Sequence, residues 1–217
     1  MHDLLASGLS QFNLELPAEI LQTEIAFLDE LLRWNGRVNL TSIINKSVAL
    51  EKHLIDSLAL LPYLEGAKNL IDLGSGGGLP GIPLAIAVPS LQVVSVDSVG
   101  KKINFQKHIK RLFSLENLTV IQSRAENLNQ TLLVPHSYDL VVARAFTSLE
   151  LILEYAASWL TPGGRVMAMK GPQGRLELQA AKEVMNRYGF DSPVVYSYTL
   201  PHSHGSRELI VFTMGGE

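Results

Sequence analysis

The stretch Asn69 to Ala85, NLIDLGSGGGLPGIPLA, decides how the chain is read. It opens with an apolar run that ends on a carboxylate, Asp72, and one more leucine, the pattern of a strand buried on both faces. Glycines follow at Gly74, Gly76, Gly77 and Gly78. A backbone without Cβ atoms reaches positive φ and lets another molecule come close. Pro80 and Pro83 then fall in the first turn of the next helix, where a missing amide donor costs little. The stretch reads as strand, glycine turn and helix start, a corner where open α/β sheets bind ligands.

The same alternation runs outward from this corner. After NLIDL come the β-rich runs QVVSVD, LTVIQ, YDLVVAR and RVMAMK. Helical stretches separate them, near Ile82 to Ala87, Lys101 to Leu115, Leu149 to Leu160 and Leu176 to Tyr188. Strands buried on both faces and joined by helices predict a parallel, doubly wound sheet. The segments SPVVYSYTL and RELIVFTM lie either side of PHSHGS and predict an antiparallel hairpin at the sheet edge, for a mostly parallel sheet of seven strands. Ahead of the corner, apolar residues from Pro17 to Trp34 recur at three- and four-residue steps, which predicts an amphipathic helix stopped by Gly36. A second helix is predicted from Val48 to Leu61. The organisation expected is a helical extension over residues 1–66 packed on a single unit over residues 67–217.

A chain of 217 residues, 47% of them hydrophobic, suits one ample domain. Its apolar runs fall short of the roughly 18 residues of a membrane span and are broken by proline, so no membrane association is expected. The first residues lack the features of an export signal, which makes the cytoplasm the expected location. The absence of cysteine excludes disulfides, thiolate metal sites and cysteine nucleophiles. A net charge of −3 means that any surface for nucleic acid is local. The candidates are Lys101 to Arg111, KKINFQKHIKR, and an edge made by Arg33, Arg37, Lys46 and Lys52, although a solvated helix face is the commoner explanation of the first. His202 and His204 have no third ligand nearby and read as a polar hairpin tip, so no metal is expected. Trp34 could stack on a base but reads first as core packing on the apolar side of its helix. His53 reads as a buried or capping histidine, or as one that orients the N-terminal section or contacts substrate. A monomer is expected.

The glycines can be phased in two ways. Gly76 to Gly81 matches GxGxxG, with Asp97 about 20 residues further on, as in a dinucleotide-binding turn. Yet the strand ends at Leu73, so the first turn glycine is Gly74, and a pyrophosphate has no use for a carboxylate at Asp72. Phased from Gly74, the pattern is Asp72-x-Gly74-x-Gly76-x-Gly78, which resembles the first motif of class I S-adenosylmethionine-dependent methyltransferases, a Rossmann-like α/β fold. That cofactor carries an ammonium, a carboxylate and a sulfonium but no phosphate. Asp97 ends the second strand, where a carboxylate can accept both ribose hydroxyls. Glu126 follows the third strand, where a side chain or backbone group can read the adenine edge. Three acids at three successive strand ends are hard to attribute to chance.

The fourth strand ends in YDLVVARAF, without the Asn/Asp-Pro-Pro-aromatic motif of amino-methylating nucleic-acid enzymes. Here the chain resembles the bacterial 16S ribosomal RNA guanine-N7 methyltransferases, the methyltransferase G or glucose-inhibited division protein B family. The resemblance rests on RWNGRVNLTSI, HLIDSL, IDLGSGGGLPGIPLAI, VDSVGKK, QSRAEN, ARAF, AMKG and RELIV, in order along nearly the whole chain. Gly77 departs from the proline that some relatives carry. The resemblance implies S-adenosylmethionine as cofactor, held by Gly74, Leu79, Asp97, Ala125, Glu126 and Arg144. It implies guanine N7 of small-subunit ribosomal RNA as the acceptor, in naked RNA or a small-subunit particle. N7 has a free lone pair, so no general base is expected. Arg144, Lys170 and Arg207 are the residues expected to position cofactor carboxylate, guanine O6 or phosphate. Two other readings stay open on the residues alone: a nicotinamide-dependent oxidoreductase, and a non-catalytic sensor of the cofactor.

Overall fold

The computed structural model describes residues 1–216. A seven-stranded sheet runs through it, with strands β1 (Asn69–Leu73), β2 (Gln92–Asp97), β3 (Leu118–Gln122), β4 (Tyr138–Arg144), β5 (Leu160–Lys170), β6 (Val194–Thr199) and β7 (Ser206–Thr213). Their order is β3-β2-β1-β4-β5-β7-β6. β1 to β5 are parallel, while β7 is antiparallel to both β5 and β6. From β1 the chain builds outward first through β2 and β3, then through β4 and β5. The reversal falls between β1 and β4, and it opens a crevice beyond their carboxyl ends.

Side chains alternate across each strand and split the core in two. Leu70, Val93, Leu140, Val142 and Met167 face one apolar cluster. Ile71, Val94, Val141, Val166 and Phe212 face the other. On the first side lie α5 (Gly81–Ala87) and α6 (Gly100–Leu112), through Ile82, Leu84, Phe105 and Ile109. On the second lie α7 (Leu149–Ala157) and α8 (Leu178–Tyr188), through Ile152, Leu153, Ala181 and Val184. The double coverage explains why the strands read as continuous apolar runs.

The N-terminal section holds α1 (His2–Ser10), α2 (Ala18–Val38), α3 (Lys46–Ala49) and α4 (Asp56–Leu58), with a widened π-type turn at Leu50–Ile55 joining the last two. Leu5, Leu9, Phe27, Leu28, Leu31, Leu54 and Leu58 belong to the same apolar cluster as Leu70 and Phe105. The section therefore shares the core of the sheet.

Several boundaries differ from the sequence expectation. α1 had no counterpart in it. α2 runs through Gly36 to Val38 and ends where Asn39 turns left-handed at φ 50°. A lone glycine costs a helix only about 1 kcal/mol, and packing of the apolar face outweighs it. α3 starts at Lys46, where the Asn45 side chain accepts from the Val48 amide at 3.1 Å. β5 begins at Leu160 rather than Arg165; Pro162 and two glycines mask its first residues, and its pairing with β4 shifts between Tyr138 and Leu140. α7 stops at Ala157 and α6 at Leu112, each three residues short of expectation. The final hairpin forms, with its second strand inside and its first at the edge. Among the described residues no helix is long and apolar enough to cross a membrane.

Candidate active site beyond the parallel strands

A cavity of about 380 Å³ opens past the carboxyl ends of β1 to β4. Its wall includes Gly74 after β1, Asp97 to Val99 after β2, Ser123 to Glu126 after β3, and Ala145 and Phe146 after β4, with Lys102 from the first turn of α6. Four of the predicted cofactor residues, Gly74, Asp97, Ala125 and Glu126, therefore share one cavity. The strand run and the glycine turn bring them there: Ser75 donates its amide to the Val96 carbonyl at 2.9 Å, and the Gln106 amide group of α6 donates to Ser75 Oγ at 2.8 Å and the Gly76 carbonyl at 2.9 Å.

Asp97 is the best-anchored acid in the cavity, only 7% exposed. Its Oδ2 accepts from the Gly76 amide at 2.9 Å and its Oδ1 from the Val99 amide at 2.8 Å, with Lys102 Nζ at 3.5 Å. Each carboxylate oxygen has two acceptor sites, so one on each remains for a ligand with paired hydroxyls. Gly74 adopts φ +70°, and a Cβ there would enter the Phe146 ring. Two motifs that stand apart in the sequence, the glycine turn and ARAF, thus meet as one wall. Ala145, inside ARAF, is itself left-handed at φ 48°, and strain of this kind gathers where a scaffold fixes a functional loop.

Asp72 does something different from what the sequence suggested. It is fully buried and off the cavity wall, and its Oδ2 accepts from the Gly81 amide at 2.8 Å, at the N-terminus of α5. A Cβ at Gly81 would lie 2.7 Å from that oxygen, which is why the helix starts on a glycine. Burial pushes the Asp72 carboxyl up to about 7, against the pull of the Gly81 amide and the Arg144 charge. The third acid of the predicted trio thus supports the turn from behind.

Leu79, buried at 6% exposure, also lies outside the cavity lining. Arg144 points toward the N-terminal section. Its Nη1 donates to the Lys52 carbonyl at 3.1 Å and lies 3.8 Å from Asp56 Oδ2. Burial lowers the Arg144 guanidinium, opposed by the charges of Asp56 and Asp72. Arg207 of β7 reaches the same Asp56 oxygen at 3.2 Å, and the Tyr198 hydroxyl of β6 donates to Asp56 Oδ1 at 2.9 Å. Lys170 is held by the Thr147 carbonyl at 2.6 Å and the Glu177 carboxylate at 2.8 Å. The structure brings Arg144 and Arg207 together on one carboxylate and places Lys170 on another.

Asp56 went unremarked in the sequence beyond its place in HLIDSL, as did Phe146 and Lys102 at the cavity. Within HLIDSL the neighbouring His53 is buried, with Nε2 3.0 Å from Thr41 Oγ1; burial, then the Arg144 charge, lower its pKa to about 4, so the ring is neutral near pH 7. His202 lies at the hairpin, where its amide and that of Ser203 donate to the Glu51 carboxylate. Among the described residues no group of three His, Asp or Glu side chains has the arrangement of a metal site.

The fold resembles that of solved methyltransferases. An O-methyltransferase from Bacillus cereus, solved in complex with SAH, superposes with a TM-score of 0.62 at 16% identity, over 87% of this chain and 90% of that one. TYW2 from M. jannaschii, solved in complex with AdoMet, gives 0.52 at 14% identity over 67% of each chain. At such identities the likeness is one of fold, and it is the class I methyltransferase fold. The sequence matches are closer. The profile of the GidB family, described as rRNA small subunit methyltransferase G, matches residues 20–208. Proteins named ribosomal RNA small subunit methyltransferase G from Syntrophotalea carbinolica and Myxococcus xanthus are 43% and 40% identical, each over 211 residues, covering 97% of this chain and 97% and 95% of those proteins. Relatedness of this depth along almost the full length means that the chain belongs to the rRNA small subunit methyltransferase G (GidB) family.

Proposed function

We propose that the chain transfers a methyl group from S-adenosylmethionine to N7 of a guanine in small-subunit ribosomal RNA. The observation that carries the choice of cofactor is the Asp72 carboxylate on the Gly81 amide. A dinucleotide pyrophosphate needs the amides at the start of the helix after β1. Here the Asp72 carboxyl already occupies the Gly81 amide, which is therefore not free for a phosphate. A cofactor without phosphate meets no such conflict.

The cavity volume lies in the usual range for small-molecule sites. The spare acceptor sites of Asp97 suit the ribose diol, while Ala125 and Glu126 lie where an adenine edge would be read. Gly74 gives the ligand a backbone surface without a side chain, and Leu79 packs behind the turn. When bound, the cofactor supplies a methyl group activated by its sulfonium. The chain supplies placement: N7 has a free lone pair and needs no proton removed, so rate comes from orientation, an effect worth up to about 7 to 11 kcal/mol in well-aligned systems. Arg144 and Arg207, paired on Asp56, and Lys170, paired on Glu177, are the cations we assign to placing the substrate. Residues 67–217 hold the cofactor and residues 1–66 form a helical cap on them. The chain acts as a cytoplasmic monomer on RNA, naked or in a particle.

Calorimetry with S-adenosylhomocysteine and with NAD, followed by nucleoside mass spectrometry of small-subunit RNA after incubation with labelled cofactor, tests this reading. The expected results are binding of the first ligand alone and label in 7-methylguanosine. Asp97→Ala should weaken S-adenosylhomocysteine at least about tenfold, the scale of hydrogen bonds to a charged acceptor. Tight NAD binding, or cofactor binding with no label in RNA, would overturn it.

A further inference from the structure

Two basic segments far apart in the chain meet at a second cavity. Arg33, Trp34, Arg37 and Val38 at the end of α2, with His108 from the middle of α6, line a space of about 280 Å³. The Trp34 and His108 rings stand 5.0 Å apart and 32° from parallel, with Phe105 behind the indole at 5.5 Å. The Glu30 carboxylate holds Arg33, accepting from its Nε at 3.1 Å, and lies 3.0 Å from His108 Nε2. Arg37 is exposed and has no hydrogen-bond or ion-pair partner among the described residues.

α6 extends this patch. Lys101, Asn104, His108 and Arg111 follow one another at steps of three, four and three, so they share one face of the helix. Lys101, Asn104 and Arg111 are exposed. In the first turn of the same helix, Lys102 lines the cofactor cavity. The cationic face thus starts beside the reaction site and leads to the aromatic pocket. It does so on a chain whose net charge is −3, and its one acid at the pocket, Glu30, is already engaged.

We propose that this pocket is a second contact for the RNA substrate, taking one unpaired nucleotide. The base lies against the Trp34 and His108 wall, its phosphate on Arg33 and Arg37; the strand runs from there past Asn104 and Lys101 toward the reaction site, and in the other direction past Arg111. Stacking on aromatic rings beside guanidinium groups is how unpaired RNA is held. The inference rests on the reading of the chain as an RNA methyltransferase.

The test uses Arg37→Glu and Arg111→Glu in the full chain, with binding to transcribed small-subunit RNA measured against salt. Each variant should raise the Kd for RNA about tenfold at low salt and lower the slope of log K against log salt by about one. The KM for RNA should rise while kcat and the affinity for S-adenosylhomocysteine stay at the wild-type value, the last also reporting an intact fold. In a Trp159→Phe background, whose remaining tryptophan is Trp34, added RNA should quench the emission. RNA affinity and salt slope unchanged in both variants would overturn the proposal while wild-type methyl transfer still stood. Loss confined to assembled particles, with naked RNA bound as before, would assign the surface to a ribosomal protein and equally overturn it. A wild-type chain that methylates no small-subunit RNA would instead bring down the functional reading, and this one with it.

Discussion

The glycine corner and the Asp56 cluster lie at the same end of the sheet and are built on opposite terms. The corner is made of backbone: amides of Gly76, Val99 and Gly81 hold two carboxylates, and a ring packs where Gly74 has no Cβ. The Asp56 cluster is made of long side chains, two guanidiniums and a phenol converging from β4, β7 and β6 on one carboxylate of the cap. The first tolerates no added atom. The second tolerates no lost charge.

The largest effect should come from the cluster. Asp56→Ala leaves Arg144 and Arg207 without their shared carboxylate, and breaking a pair this buried costs about 3 kcal/mol or more. Chemical denaturation should record that loss, while Asp56→Asn, which keeps an acceptor for Tyr198, should lose less. Next comes the corner. Gly74→Ala combines a left-handed alanine with a methyl driven into Phe146, about 2 kcal/mol together, with weakened binding of S-adenosylhomocysteine. Adding Phe146→Ala should relieve the steric share and leave only the backbone share. If the double variant binds no better than the single one, the ring is not what the glycine accommodates.

A further expectation is a pH dependence of opposite sign in the two regions. Asp72 has its pKa raised from 3.8 to about 7 by burial, so its contribution is fully present below about pH 4 and is lost as pH rises toward 7. His53 has its pKa lowered from 6.5 to about 4, so its contribution is present above 6.5 and is lost as pH falls toward 4. Thermal unfolding from pH 4 to 8 should therefore show Asp72→Asn gaining on the wild type at the alkaline end and His53→Gln gaining at the acid end. Parallel curves for either variant would contradict the assigned environment.

Much of the fold was legible because β1 to β4 are continuous apolar runs between helices, and their ends fall where the sequence put them. β5 was legible only in its second half, since Pro162, Gly163 and Gly164 break the run that pairing extends. Gly36 reads as a stop until the apolar face of α2 is seen to need another half turn. Along the cavity, Gly74, Asp97 and Glu126 were legible because each sits at or just past a recognisable strand end, whereas Ala125 came from the family resemblance alone. Asp72 was recognised as an acid but not as a support, because its partner is an amide nine residues on that only the folded turn presents. The Asp56 cluster was hidden for a simpler reason. Arg144, Tyr198 and Arg207 lie 88, 142 and 151 residues from Asp56, and no local pattern encodes a meeting at that distance.

The placement of β7 between β5 and β6 bears on how the protein is made. A chain emerging from its own ribosome delivers β6 first, yet β6 has no place on the sheet until β7 has docked against β5. Through all earlier stages of synthesis the β5 edge stays open, and Asp56 waits for Arg207. Closing the sheet between β5 and β6 and completing the charge pairing of the cap thus depend on the same eight residues.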